Sequence, residues 1–198
     1  VLKRHMPSKW VSFQSAATLH EMSHRKSGIS ALLWYAFRHT YFAGVHPEEW
    51  VELMDGLKLP LVLTAKYGVQ DNADGHAVDW LMRGGDLVAL AFASVKHTRT
   101  KHWALAVGVE GAAVGKVHTP DTILLLDPSA SEPSFAPFNA RLRLPLTGPG
   151  RRRAQPNLPK PSEDGKRKPV HWLYEAAEWN AEEVRLLAAV RLQLKVAA

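Results

Sequence analysis

The 198-residue chain is 46% hydrophobic, carries a formal charge of +6 and contains no cysteine. That length and apolar content allow a single domain with one sizeable core. The missing cysteines exclude disulfides and thiolate metal sites, and no apolar run approaches the roughly 18 residues of a membrane helix.

In chain order, the opening "VLKRHMPSKW" lacks the apolar stretch of a signal peptide. A cytoplasmic setting is therefore the default, although nothing names a compartment. The first half reads helical. Ser27 is placed to cap a helix in which Ile29, Leu32, Leu33, Ala36 and Phe37 recur at helical spacing, with Gly44 beyond as a stop. A second helix opens at His46-Pro47-Glu48-Glu49, with proline and acids in its first turn and Trp50, Leu53 and Met54 along one face. "DNADG" (71–75) reads as a turn, and "HAVDWLM" after it as a short helix stopped at Gly84-Gly85.

The second half reads as strands. Residues 86–94, 102–110 and 122–127 are apolar runs of strand length; 141–146, 170–174 and 190–196 alternate apolar with polar. Helices followed by consecutive strands predict an α+β domain with an antiparallel sheet, a single unit over residues 1–198. A basic, proline-rich insertion at about 148–169 interrupts the strands. Arg151 to Pro169 holds seven Lys/Arg against two Asp/Glu, which is +5 of the net +6. The segment predicts a solvated surface excursion between two strands that could contact an acidic partner. With no aromatic residues among its charges, it does not fit a single-stranded nucleic-acid surface, and nucleic acid is not the expected partner.

Three short motifs carry chemistry. "KSG" at the helix start puts Ser27 and Gly28 where unpaired amides and the helix dipole favour a nucleophile and its oxyanion. "KHWALAVG" puts His102, beside Trp103, at the opening of a strand. "ILLLDPS" puts Asp127 at a strand end, where a carboxylate could hold the second nitrogen of that histidine. Each also has an ordinary use: a helix cap, an edge histidine satisfied by backbone, and a strand-to-turn aspartate. Their order, however, is nucleophile, base, orienter.

These motifs resemble those of the papain-like peptidases that process double-glycine leader peptides, and of related bacterial papain-like domains of unassigned substrate. The resemblance spans roughly residues 14–132. It implies a papain-like fold, with N-terminal helices packed on a C-terminal antiparallel β-sheet. It also implies a peptide or protein substrate and a catalytic triad in which Ser27 stands at the cysteine position, His102 is the base and Asp127 the third member. The family's oxyanion glutamine would fall about six residues before the nucleophile, where this chain has Glu21; the nearby glutamine is Gln14. A carboxylate would repel an oxyanion, so Gln14 with Gly28 and Trp103 form only a weakly marked cleft set.

With serine at position 27, three readings stay open: a disarmed cysteine peptidase that is inactive or nearly so, a serine enzyme, or a helix cap. A serine hydroxyl needs a well-built base and oxyanion hole, and the chain has no G-x-S-x-G elbow. The serine could be a deliberate exchange or a natural loss that leaves a peptide-binding module. No cofactor and no metal are expected. His97, His102, His118 and Asp121 do not form a ligand set, because His97 and His118 read as turn residues. His20 and His24 lack a third ligand, and no glycine-rich phosphate loop is present.

Overall fold

The computed structural model describes residues 28–38, 45–97, 101–115, 117–131, 136–145, 169–177 and 179–195, together with His24. Gln14, His20, Glu21, Ser27 and nearly all of the basic segment lie outside the described residues. The chain divides into two compact units, Val1–Leu63 with Gln193–Ala198, and Thr64–Leu192.

In the first unit, helix α1 (Gly28–Phe37) and helix α2 (Pro47–Gly56) match the two helices expected there. Proline at the first position of α2 supplies a pre-set φ where no amide bond is lost, and Glu48 and Glu49 face the positive end of the dipole.

The second unit departs from the expected fold. It holds helix α3 (Ala73–Arg83) and all or most of seven strands, which begin with β1 (Leu61–Tyr67), β2 (Leu87–Ser94), β3 (Lys101–Val114) and β4 (Val117–Leu126). β5 (Ala140–Arg143), β6 (Trp172–Ala176) and β7 (Trp179–Leu194) follow. Strand order is β1-β7-β2-β3-β4-β5-β6, and β6 also pairs with β7. The last six strands therefore close on themselves. The described chain is mostly antiparallel strand in a closed six-strand barrel, and this overturns the papain-like α+β fold of helices packed on a sheet.

The reason lies in β7. Its first residues pair with β6 (Trp172↔Val184, Tyr174↔Glu182), and its later residues pair with β2 (Leu87↔Leu192, Leu90↔Ala189). One 16-residue strand thus joins both sides of the sheet. Irregularities at Ala91/Phe92 and Tyr174/Ala176 supply the local bends that closure needs. The closed barrel fills its interior with its own alternate side chains. Val88, Leu90, Ile123, Leu125 and Leu142 are fully buried, as are Trp172 at 1% exposure and Val184 at 2%. From α3, Ala73, Ala77 and Trp80 add to this core.

Two further readings change. β3 and β4 form a long hairpin turning at Gly115 (φ +61°), so His118 is a strand residue and not a turn residue. "DNADG" is a turn only at its start, since α3 begins at Ala73 after Asn72 in the left-handed region.

Candidate functional site

The site is built from the start of β3, the end of β4 and the middle of β6. His102 is the second residue of β3 and is paired with Phe92 of β2. Asp127 directly follows β4, and Tyr174 lies on β6. Proline at 128 stops the strand, and the Asp127 side chain accepts the Ser129 amide at 2.7 Å, a local turn that any Asp-Pro-Ser stretch can form. Asn139 braces that turn. Its Oδ1 accepts the Asp127 amide at 2.7 Å, and its Nδ2 donates to the Asp127 carbonyl at 2.8 Å and the Ser131 carbonyl at 2.9 Å.

The predicted pairing of His102 with Asp127 is present. His102 Nε2 lies 2.7 Å from both Asp127 oxygens. The Asp127 side chain is fully buried, while 28% of the His102 side chain is exposed. Because a carboxylate can only accept, Nε2 carries the proton in the neutral ring and Nδ1 is the basic nitrogen. Among the described residues nothing is hydrogen-bonded to Nδ1. The Tyr174 hydroxyl donates to Asp127 Oδ2 at 2.7 Å. Phe92 meets the imidazole edge-to-face at 5.3 Å and lies 5.5 Å from the Tyr174 ring.

Burial pushes the Asp127 carboxyl pKa up. Hydrogen bonds from His102, Tyr174 and the Ser129 amide outweigh that effect and hold it below the ordinary carboxylate value. The carboxylate is therefore charged, multiply bonded and dry, an arrangement suited to orienting a base and stabilising an imidazolium.

The other predicted members fall as follows. Gly28 opens α1 at φ +85°, a conformation that favours glycine, and is exposed. Trp103 follows His102 on β3 and so points to the opposite face of the strand, away from the ring. It does not line the His102 face. Ser27 and Gln14 are outside the described residues, so the described site comprises the bonded pair of His102 and Asp127. Tyr174, Phe92 and Asn139 were not singled out from sequence. Tyr174 sits inside "VHWLY", whose alternation signals only a buried strand position.

Among the described residues the remaining histidines do not assemble. His97 follows β2, with its amide donating to Ser94 Oγ. His118 Nδ1 lies 3.2 Å from the Met82 sulfur, and buried Asp121 accepts from Thr122. Among the described residues there is no group of three or more His, Asp or Glu able to hold a metal ion, and no helix long and apolar enough to cross a membrane. Comparison with protein-family models, with curated proteins and with solved structures gives no match to this chain.

Proposed function

We propose that this protein is a hydrolase of the cysteine-peptidase chemical type acting on a peptide or other amide bond. His102 is the general base, Asp127 its orienter and position 27 the nucleophile. With Ser27 in that position the present form is inactive or nearly so. The observation that supports this reading is an imidazole tied through Nε2 to a buried carboxylate, with Nδ1 unbonded among the described residues.

A thiol at position 27 would give its proton to Nδ1, and the thiolate would attack the carbonyl carbon of the substrate. The imidazolium would then protonate the departing amine. Water deprotonated at Nδ1 would release the acyl group and restore the thiol. Asp127 remains a carboxylate throughout and holds the ring in register. A hydroxyl in the thiol's place is a far weaker acid, so the same base removes its proton poorly. The serine itself favours a second reading, in which the site binds a peptide without cutting it.

The test is the pH dependence of iodoacetamide alkylation in the Ser27→Cys variant. The thiol should react well below the ordinary cysteine pKa of about 8.5. His102→Ala in that background should slow alkylation at neutral pH markedly, and Asp127→Ala should slow it less. An inflection at the free-thiol value, untouched by His102→Ala, defeats the hydrolase reading. Peptide binding by the Ser27 form would then favour the second.

A further inference from the structure

We infer that Tyr174 is a positioning residue for the His102–Asp127 pair, its hydroxyl anchoring one carboxylate oxygen so that Nε2 of His102 keeps its partner and Nδ1 stays the basic nitrogen. The inference rests on the reading of His102 as the base. It goes beyond that reading by adding a group from a third strand, whose hydroxyl bonds the carboxylate of the pair.

The geometry carries it. A carboxylate at the end of a strand can turn about its last bond, and a histidine gripping both oxygens does not prevent that. Asp127 Oδ1 is fixed by the Ser129 amide, and Oδ2 has the Tyr174 hydroxyl at 2.7 Å. Each oxygen is thus held by its own donor, and the two donors lie on separate elements. Tyr174 is itself immobilised, being only 8% exposed, with its ring against Phe92. Phe92 in turn packs on the His102 ring, so two aromatic contacts through Phe92 lead from Tyr174 to the imidazole and one hydrogen bond leads to the carboxylate. A phenylalanine at 174 would fill the same space, so selection for packing alone does not call for the hydroxyl. The groups that face Asp127 are His102 from β3, Tyr174 from β6 and the Ser129 amide from the turn. Of these, His102 is the one that also acts on the carboxyl by charge when its ring is protonated. With the hydroxyl gone, burial would be opposed by fewer donors.

The test uses the full chain with Ser27 in place, labelled for NMR, and compares wild type with Tyr174→Phe. Two signals are read. The Asp127 carboxyl carbon should titrate at higher pH in the variant, toward the ordinary carboxylate range. The His102 Nε2 proton should exchange with water several-fold faster, because its acceptor is no longer held at both oxygens. Both changes together support the inference. A folded variant in which either signal is unchanged overturns it: without the first the hydroxyl does not act on Asp127, and without the second it does not position the imidazole.

If Tyr174→Phe does not fold, growth with 3-fluorotyrosine substitutes a more acidic phenol at the four tyrosines. The Asp127 titration must then move lower, and an unmoved titration overturns the inference. No nucleophile or substrate enters either measurement. Failure here therefore leaves the alkylation test standing, and failure there leaves this one.

Discussion

Asp74 and Asp127 are both buried carboxylates, 5% and 2% exposed, yet their surroundings push their pKa values in opposite directions. Asp127 has three donors and stays charged. Asp74, in the first turn of α3, accepts chiefly from Trp172 Nε1 at 2.6 Å, and burial outweighs that bond and raises its pKa to about 6. A carboxyl whose folded pKa lies above its unfolded value binds its proton more tightly in the native state. Stability is then lost as pH rises from about 4 through 6. Measured from the ordinary 3.8 to about 6, the loss is on the order of 3 kcal/mol at neutral pH. Asp74→Asn keeps an acceptor for Trp172 and removes the charge. It should flatten the stability profile over that interval and raise stability at pH 7–8 by about 2–3 kcal/mol, as read by urea denaturation. An unchanged slope between pH 4 and 7 would place the effect elsewhere. Asp127 works the other way, since its depressed pKa contributes stability at neutral pH that is lost in acid. His102 and Asp127 were legible in the sequence because each marks a strand end beside a distinctive neighbour, Trp103 or Pro128. Asp74 and Tyr174 were not, because their roles arise from partners 98 and 47 residues away.

Among the elements, the β3–β4 hairpin shows where local patterns stop short. Residues 102–110 read as a strand, but β3 runs on to Val114 because Gly111 lets the chains pass a bulge at Glu110/Gly111 opposite Pro120. A Cβ at Gly111 would lie 2.1 Å from the Thr119 carbonyl oxygen and 2.6 Å from the Pro120 Cα. Those are backbone atoms that cannot rotate away. Gly108, three residues earlier, would meet only the Leu124 Cδ1 at an ordinary 3.8 Å. Gly111→Ala should therefore destabilise by about 3 kcal/mol and Gly108→Ala by less than about 1 kcal/mol. Equal losses in denaturant titrations would mean the bulge adapts. β7 was the harder element to read. Its central residues, "AEEVRLLAA" (181–189), are good helix formers without strand alternation, and only 190–196 announced a strand. Pairing with β2 and β6 on either side overrides that local preference.

At the scale of the whole barrel, closure depends on pairings far apart in sequence, and for that reason the composition pointed to a sheet but not to its shape. Closure also distributes stability unevenly. β2 is eight residues long and lies between β3 and β7, whereas β5 contributes only four residues between β4 and β6. Leu142 of β5 is fully buried, but its neighbours Arg141 and Arg143 face outward, and both bond Glu175 of β6 at 2.6 and 2.5 Å. The weakest seam of the barrel is therefore β5, with Glu175 as its clasp. In native-state hydrogen exchange, amides of Ala140–Arg143 should open at lower free energy than those of Leu87–Ser94 and exchange at least tenfold faster. Glu175→Ala removes the acceptor shared by two arginines that are 44% and 31% exposed, so the loss should stay modest. Exchange on β5 should rise by roughly 3- to 10-fold, about 0.6–1.4 kcal/mol, and β2 should hardly change. Equal acceleration on β2 and β5 would mean that the barrel opens only as a whole and that β5 is no seam. Acceleration confined to β5 would show that the ring breaks first beside Tyr174, the strand that carries the hydroxyl to Asp127.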